Sequence, residues 1–322
     1  MVTRNDVARA AGVSSAVVSY VLNDGPRPVS AAARARVLAA IDELGYRRNN
    51  IARFMRTRTT NSIGFVLPEI ALAYFSVMTQ RITEIAYARG LSVIVATSNG
   101  DVDVEREHLT DLASRQVDGV VLMSVNPAQD LAWAGDLGMP VLVVDRPVVA
   151  IESTVAAVEH LLAVGCRRLA RLSADEEALT TRRRDKGWNQ ALAAHDTDPA
   201  QAPVVRVAGA ESAAYDAARE LLSTPDRPDG VVVDSPVHAA PILRAAADLG
   251  LSIPDDVAVV ALEFGRAAEY TVPRLTSVDS PLEDIALRAV EIITAASPDE
   301  RLLTLDGTDF TLVARESTAR SR

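Results

Sequence analysis

The sequence predicts a small all-α head that contains a helix-turn-helix, followed by an α/β core of two parallel-sheet lobes. Three observations support this fold class. Short helical patterns with cap residues fill the first part of the chain, up to residue 46. From residue 62, continuous apolar runs alternate with helical patterns, which is typical of βα units with buried parallel strands. The same rhythm restarts at the run RLARLS (168–173), which indicates a second lobe.

The first two helices of the head are predicted from their caps. Thr3 followed by Asp6 is a capping-box-like start, and Gly12 ends this helix because glycine adopts tight-turn conformations without steric penalty. Ser14 can cap a second helix, which begins only a few residues later. Two helices in such close succession form a helix-turn-helix, a motif whose second helix enters the major groove of DNA.

A third helix completes the head. Ser30 can cap it, and Gly45 is expected to stop it. The side chains that this helix is predicted to bury are Val37, Leu38, Ile41 and Leu44. Three helices around one shared apolar seam form a small domain that needs no further support.

The outward face of the second helix is a candidate DNA-contacting surface. Its apolar residues recur at helical spacing and form the inward face. The positions left for the outward face are Ser15, Ala16, Ser19 and Tyr20. Hydroxyl groups can hydrogen-bond a base or a phosphate, and an alanine methyl can contact the methyl of thymine. The pattern alone is also compatible with an ordinary solvated surface.

The segment 46–58 combines basic and apolar residues. It reads YRRNNIARFMRTR and carries five arginines. Arginine clusters neutralise phosphate, and apolar side chains can wedge between base pairs in the minor groove. A basic solvated linker is the alternative, but the apolar residues between the arginines favour the DNA-binding interpretation.

Charge divides the chain into two unequal parts. Residues 1–60 carry 10 Arg against 4 acidic residues, whereas the rest of the chain carries 23 basic against 39 acidic residues. A basic head on an acidic body is the distribution expected if the head alone meets phosphate. Chance variation between small domains is the alternative.

The core is predicted to hold eight strands in two sets of four, with a ligand cleft at the carboxyl ends of the strands. The predicted strands are SIGFVLP, LSVIVATS, GVVLMSV, PVLVVD, RLARLS, VVRVA, GVVVD and DVAVVAL. The predicted boundaries are 1–46 for the head, 47–60 for a hinge segment, 61–147 for lobe 1 (re-entered near 280–296) and 148–279 for lobe 2 (with 297–322).

Several function classes are not supported by the sequence. Cys166 is the single cysteine, so no internal disulfide is expected. The N-terminus lacks the apolar region of a signal peptide, and no run approaches the ~20 apolar residues of a membrane span, so we expect a cytoplasmic protein without a membrane partner. Phosphate-loop, nucleophile-elbow and metal-ligand spacings do not occur, so we expect neither an enzyme nor a cofactor.

The head resembles the N-terminal signature of the LacI/GalR family of bacterial repressors. The stretches that carry the resemblance are DVARAAGVSSAVVSYVLND and VSAAARARVLAAIDELGYRRNNIARFMRTRT, which together cover almost 60 residues. The core resembles the same family in RQVDGVVLMS, VEHLLAVGCRRLARL, KGWNQAL and LGLSIPDDVAVVAL, and that core is similar to periplasmic sugar-binding proteins. The resemblance therefore implies a periplasmic-binding-protein-like core behind a DNA-binding head.

The resemblance implies roles for individual residues of the head and hinge. It places base recognition on Ser15, Ala16 and Tyr20, and it places the minor-groove wedge on Met55. Methionine stands where the family has leucine, so the wedge stays apolar but a looser preference for the central base step is expected. Arg48 stands where a proline is common and is expected to strengthen phosphate binding and its salt dependence. The full set expected to contact DNA is Ser14, Ser15, Ala16, Ser19, Tyr20, Asn23, Asn49, Ala52, Arg53, Met55 and Arg56.

The resemblance is weaker in the effector cleft. Arg184 matches an arginine that grips effector groups in the family, whereas Leu72-Ala73 and Ser235-Pro236 replace polar pairs. The residues expected to contact an effector are Tyr74, Phe75, Ser124, Asp145, Arg184, Ser235 and Glu263. Three alternatives remain open: a less polar small effector, a sugar or sugar phosphate, and a core that only dimerises.

The expected function is sequence-specific regulation of transcription. A homodimer, most simply a repressor, would bind a roughly palindromic double-stranded operator, because paired heads contact two half-sites about one helical turn apart. A small-molecule effector in the cleft would change that binding. The alternatives are an architectural DNA-binding protein with little sequence preference and a solute-binding protein with a vestigial head.

Overall fold

A computed structural model defines the architecture of most of the chain. It describes residues 2–23, 27–46, 59–71, 73–124, 126, 129–144, 150–174, 179–207, 211–297, 299–305 and 309–320, without the side chains of Asn23, Ala73 and Leu179. The chain divides into two compact units, Met1–Thr60 and Asn61–Arg322.

The first unit is the predicted three-helix head. Its helices are α1 (Arg4–Ala10), α2 (Ser15–Asn23) and α3 (Ala31–Leu44). The capping box at α1 is confirmed: the Thr3 hydroxyl accepts the Asp6 N–H, and the Asp6 carboxylate accepts the Thr3 N–H at 2.9 Å. Ser30 caps α3, which ends at Gly45 in the left-handed conformation, as predicted.

The apolar seam of the head agrees with the predicted one except at one position. Val7, Val18 and Val37 are fully buried where the three helices meet. Leu38 was expected in this core but is 50% exposed. Neighbouring residues of an α-helix are rotated by about 100°, so Val37 and Leu38 cannot both face the same seam.

The second unit contains the remaining helices and all the described strands. Its helices are α4 (Ala73–Ala88), α5 (Val102–Ser114), α6 (Ala150–Ala163), α7 (Leu179–Ala194), α8 (Glu211–Ser223), α9 (Pro236–Asp248) and α10 (Leu282–Ala295). Its strands are β1 (Ser62–Leu67), β2 (Ser92–Thr97), β3 (Gly119–Leu122), β4 (Val141–Val144), β5 (Leu169–Ala174), β6 (Val204–Val207), β7 (Gly230–Val233), β8 (Ala258–Leu262), β9 (Thr276–Asp279), β10 (Leu302–Leu305) and β11 (Thr311–Val313).

The first lobe is a parallel sheet with the strand order β10-β4-β3-β1-β2. Alternate residues of its strands face opposite sides, so Phe65 packs under α4 and α10 while Val66 packs under α5. Helices on both faces explain why these strands are continuous apolar runs in the sequence. β2 lies at one edge of the sheet, and none of its residues is buried.

The second lobe has the strand order β11-β9-β8-β7-β5-β6, parallel except for the antiparallel pair β11–β9. One face packs against α8 and α9, and the other packs against α6 and α7. The eight predicted strands correspond to β1–β8. All of these parallel strands point their carboxyl ends toward one edge of their sheet, which is where ligand-contacting residues are expected.

The predicted extent of the second lobe is wrong at one point. Residues 297–322 were assigned to it, but β10 (Leu302–Leu305) pairs with β4 in the first sheet. The reason is the position of α10, which packs on α4, β3 and β4 and therefore delivers the chain beside the first sheet. Only afterwards does the chain return to the second sheet as β11.

Candidate functional site

The start of α2 is the surface of the head that is suited to contact bases. The Ser14 hydroxyl accepts the Val17 N–H at 3.3 Å and so caps the helix. Ala16 is exposed, and the neighbouring Ser15 is half-buried. Val18, on the opposite side, is fully buried in the head. The cap and the buried side therefore fix which residues α2 presents to solvent.

Further along α2, Ser19 and Tyr20 are half-buried, so each has part of its side chain at the surface. The predicted outward set on α2 is thus accessible in the structure, although its contact with DNA stays a prediction. The remaining predicted DNA-contacting positions, Asn49, Ala52, Arg53, Met55 and Arg56, together with the side chain of Asn23, lie outside the described residues.

The described part of the head carries a basic surface. Its exposed arginines are Arg4, Arg9, Arg27, Arg34 and Arg36. Asp6 lies 3.4 Å from Arg9, an exposed pair whose contribution to stability is small. Arg36 donates from Nε to the Ala11 carbonyl at 3.1 Å, which joins α3 to the end of α1. Such a surface can neutralise phosphate groups without reading sequence.

The second lobe gathers polar side chains at the carboxyl ends of β7 and β8. We call Arg184, Ser235, His238 and Glu263 the second-lobe wall. Ser235 follows β7 and caps α9 by accepting the Val237 N–H at 3.1 Å. Glu263 follows β8 directly and has a positive φ of 60°, a conformation that costs energy for any residue except glycine.

Arg184 is held in this wall by two oxygen atoms. Its Nη1 donates to the Asp234 carbonyl at 2.8 Å, and its Nη2 lies 3.3 Å from the Glu263 carboxylate. The residue is only 6% exposed. Two predicted effector residues, Arg184 and Glu263, therefore form a largely buried ion pair.

A network of charged residues lies next to the wall. We call Arg171, Ser173, Asp185, Arg206 and Asp234 the ion network. The fully buried Arg171 donates to both Asp234 oxygens, at 2.8 and 2.7 Å, and to Asp185 at 2.8 Å. Arg206 reaches Asp185 at 2.7 Å, and Ser173 donates to Asp234 at 2.7 Å. Every charged member thus has an opposite charge as a partner.

The ion network is joined to the wall through the chain itself. Asp185 follows Arg184 on α7, and Asp234 supplies the carbonyl that Arg184 contacts. Burial alone would raise the pKa of the Asp234 carboxyl, but the hydrogen bonds and charge of Arg171 outweigh it and keep that pKa below its ordinary value. Asp234 therefore stays ionised and continues to hold Arg171.

His238 belongs to the wall but was not predicted from the sequence. It lies in the first turn of α9 and is 2% exposed, and its Nδ1 has no hydrogen-bond partner among the described residues. Burial lowers its pKa; Asp234 acts in the opposite direction, and the charge of Arg184 adds to the lowering. The ring is therefore neutral at neutral pH.

The ion network was also missed, although the sequence contains a signal for it. Arg171 interrupts the apolar strand RLARLS, and a charge in a strand buried on both faces requires a partner. That argument identifies the buried arginine. It does not identify Asp234 or Asp185, because their proximity depends on the packing of α7 and β7.

The predicted first-lobe residues occupy two separate places. Tyr74 and Phe75 are buried in the core at the start of α4, with ring centroids 5.3 Å apart in an edge-to-face arrangement. Ser124 follows β3, donates to Glu105 at 3.2 Å and accepts from Gln129 at 2.9 Å. Asp145 lies outside the described residues.

The described ranges contain neither a metal-ion cluster nor a membrane-spanning helix. No cluster of three or more His, Cys, Asp or Glu side chains there is arranged to hold a metal ion. Over the same ranges, no helix combines the length and apolar character needed to cross a bilayer.

Comparison with known proteins agrees with this arrangement of a head and two lobes. A family model for bacterial regulatory proteins of the lacI family matches residues 3–49, and a model for periplasmic binding protein-like domains matches residues 158–318. The chain is 30% identical to a ribose operon repressor of Halalkalibacterium halodurans over 304 residues, covering 91% of this chain and 89% of that one. It is 28% identical over 312 residues to the HTH-type transcriptional repressor PurR of Photobacterium profundum, covering 93% of each.

A solved structure extends the similarity to the fold. The crystal structure of the Lac repressor dimer bound to operator and the anti-inducer ONPF matches with a TM-score of 0.81 and 25% identity, covering 98% of this chain and 99% of that one. Both ends of the chain and both lobes are thus included in the comparisons. The protein belongs to the LacI family of bacterial DNA-binding transcriptional regulators.

Proposed function

We propose that this protein is a dimeric repressor that binds a palindromic operator and is controlled by a small-molecule effector in the second-lobe wall. The observation that supports it most is the capped helix α2, which presents its N-terminal residues to solvent on a basic three-helix head. A recognition helix in the major groove uses those N-terminal positions to contact base edges.

In this proposal the head and hinge divide the work of binding DNA. Ser15, Ala16 and Tyr20 read bases from α2, while Ser14 and Ser19 contact the backbone. In the hinge segment 47–60, Met55 wedges into the minor groove beside Ala52, as the family resemblance implies. Asn49, Arg53 and Arg56 are proposed to bind phosphate or base edges. Asn23 lies at the end of α2 and completes the set.

The proposed dimer forms through the first lobe. α4 packs on the edge strand β2, and both expose large apolar side chains: Val77, Tyr87, Ile94 and Val95. Val95 points to the same side of the sheet as α4, because Val93 two residues earlier packs with α4. Its exposed side chain therefore adds to those of α4, and neighbouring exposed apolar groups mark an interaction site. The related Lac repressor is a dimer in its operator complex, which agrees with a second copy of this chain as the partner.

The proposed effector binds at the second-lobe wall. Arg184, Ser235 and Glu263 lie at the carboxyl ends of the strands, where ligands bind open α/β sheets. The first lobe is proposed to contribute to the same site through Tyr74, Phe75, Ser124 and Asp145. The aromatic pair would do so indirectly, by shaping the core behind the ligand. The related Lac repressor was solved with the anti-inducer ONPF.

Two further expectations follow from a repressor function. The protein acts in the cytoplasm, where bacterial operators are, and it regulates rather than catalyses. Both are proposals that follow from the family, since the relatives described above are repressors.

Selection of bound duplexes from a random-sequence pool, with purified full-length protein, tests the proposed function. We expect a two-fold-symmetric motif of roughly 14–20 base pairs, the length of two half-sites one helical turn apart. Salt-sensitive binding without any motif would instead indicate an architectural DNA-binding protein. A complete failure to bind would favour a vestigial head on a solute-binding core.

A further inference from the structure

The turn between α1 and α2 is fixed at both ends by hydrogen bonds. At the end of α1, the Gly12 N–H donates to the Arg9 carbonyl at 3.3 Å. The Val13 N–H donates to the Ala8 carbonyl at 3.0 Å, which completes the kind of helix end that a glycine of positive φ permits. At the start of α2, the Ser14 hydroxyl caps the helix. The direction in which α2 leaves α1 is therefore set within a few residues.

The third helix of the head holds the same turn through one side chain. The carbonyl of Ala11, directly before Gly12, accepts a hydrogen bond from Nε of Arg36 at 3.1 Å. The last carbonyls of a helix have no partner within it, and Ala11 is only 3% exposed, so this carbonyl depends on a partner from the protein. Arg36 precedes Val37, which is fully buried in the seam of the head. The donor is thus attached to a firmly packed part of α3.

The packing of the head makes this bond a link between α3 and the reading helix α2. α1 packs on both α2 and α3, whereas α2 and α3 contact each other less. α3 therefore controls the orientation of α2 mainly through α1 and the turn. Base recognition tolerates little displacement, because binding groups must be held within about 0.5 Å of their productive geometry. A small rotation of α2 would move Ala16 and Tyr20 away from the base edges.

We propose that Arg36 is a positioning residue for base recognition, whose Nε–H group fixes the turn at Ala11 and thereby the angle at which α2 enters the major groove. This inference rests on the proposed function, because it concerns how the same helix reads bases. Arg36 acts through the Ala11 carbonyl and contacts no base itself. An exposed arginine that only binds phosphate would instead depend on its charge and contribute equally on every sequence.

The donor group and the charge of Arg36 can be removed separately. Glutamine carries its Nε2 nitrogen at the same number of bonds from the backbone as Nε of arginine, so Arg36→Gln keeps a donor for the Ala11 carbonyl and loses the charge. Lysine has a methylene group at that place, so Arg36→Lys keeps the charge and loses the donor. Arg36→Met loses both.

The affinities of the full-length protein for the selected operator and for a random duplex of equal length test the proposal. Fluorescence anisotropy gives both Kd values, and discrimination is the Kd for the random duplex divided by that for the operator. We expect Arg36→Lys and Arg36→Met to lower discrimination about tenfold, an effect similar to that of a mismatched base pair. Arg36→Gln should keep discrimination within about twofold of the unsubstituted protein, because it retains the donor.

Arg9 supplies the matched control, because it is an exposed arginine of the same head whose side chain lies near Asp6. Arg9→Lys and Arg9→Gln should both keep discrimination within about twofold, since any phosphate contact contributes equally on both duplexes.

Three results would overturn the proposal. The first is unchanged discrimination in Arg36→Lys, even with a lower Tm, because the bond would then only stabilise the head. The second is a loss of discrimination in Arg36→Gln as large as that in Arg36→Lys. The third is weaker binding of Arg36→Gln to both duplexes alike with no effect of Arg36→Lys, which would identify a phosphate contact. The unsubstituted protein is the reference throughout, so its own preference for the operator, and with it the proposed function, is unaffected by any of these results.

Discussion

Arg171 has a positive charge that cannot reach water from β5. It remains charged because Asp234 and Asp185 accept its hydrogen bonds from two directions. The desolvation of two such charges offsets most of their attraction, so the pair contributes less to stability than its geometry suggests. Removing one member has a larger effect, because the other is then a buried charge without a partner.

A double-mutant cycle on this pair measures that asymmetry. We expect Arg171→Met to lower the free energy of unfolding by about 3–5 kcal/mol, and Arg171→Met/Asp234→Leu to recover much of the loss. Urea unfolding of the unsubstituted protein, the two single variants and the double variant gives the four free energies of unfolding. Arg206→Met, at a partly exposed member of the ion network, is the control and should cost less than about 1 kcal/mol. Equal losses at Arg171 and Arg206 would contradict the asymmetry.

Tyr20 and Arg56 are expected to differ in what they contribute to DNA binding. Tyr20→Ala should relax discrimination between bases within each half-site by about tenfold, because it removes a group that we propose contacts base edges. Arg56→Ala should weaken binding to all duplexes alike and reduce the salt dependence, because it removes a proposed phosphate contact. Titrations against the selected motif and its single-base variants distinguish the two. Uniform weakening by both changes would show that α2 does not read the bases.

His238 is expected to make stability depend on pH. Its pKa is lowered by burial in the folded protein, so the unfolded chain takes up a proton at a higher pH than the folded protein does. Neutral His238 therefore contributes fully to the free energy of unfolding above the ordinary histidine pKa of 6.5. This contribution is lost as the pH falls below that value. Urea unfolding between roughly pH 7.5 and 5.5 should show a smaller loss in His238→Gln. His195→Gln, at an exposed histidine, should leave the loss unchanged.

At the scale of elements, the strands and caps were predictable because their causes are local. β1–β8 are mainly apolar runs, and the caps at Thr3, Ser14 and Ser30 require only a side-chain oxygen at the right position. The position of β10 was not predictable. Its run LLTL is apolar in the same way as a second-lobe strand, and only the packing of α10 decides which sheet it joins.

The residues of the proposed effector site were predictable in part, and for the same physical reason. Ser235 opens α9 and Glu263 follows β8, which places both at one edge of the second sheet. Arg184 lies inside α7 and was predicted only from the family resemblance. The burial of Tyr74 and Phe75 and the unpartnered nitrogen of His238 depend on how helices pack on the sheets. No spacing in the sequence carries that information.

The crossing of α6 and α7 explains the glycine in the motif KGWNQAL. A Cβ at Gly187 would overlap the Ile151 carbonyl oxygen and lie 3.1 Å from its Cα, and a backbone cannot move aside as a side chain can. We expect Gly187→Ala to destabilise the protein by about 3 kcal/mol by forcing the two helices apart. Gly135→Ala is the matched control, since its nearest contact is an ordinary 3.5 Å. Thermal unfolding of both variants checks this, and equal stabilities would refute the close crossing.

At the scale of the whole molecule, the proposed dimer gives the sharpest prediction. Val95 on β2 and Val102 on α5 are the same residue type, and both are 38% exposed. Val95→Lys places a charge in the proposed interface and should weaken self-association by about 30-fold or more, whereas Val102→Lys should not. Sedimentation velocity measures the association, and operator affinity should fall with it. Dissociation by both variants, or by neither, would place the interface elsewhere.

The path of the chain between the two sheets limits which segments two related genes of this family can exchange by recombination. The chain crosses from one sheet to the other three times: between β4 and β5, between β9 and β10, and between β10 and β11. A single crossover between two related genes therefore transplants pieces of both lobes and cannot exchange one lobe intact. A chimaera that receives one whole lobe from another protein needs three junctions in its sequence at once. A chimaera that receives a new DNA-binding head needs only one. Recombination should accordingly change the operator of such a regulator far more readily than it changes half of its ligand site.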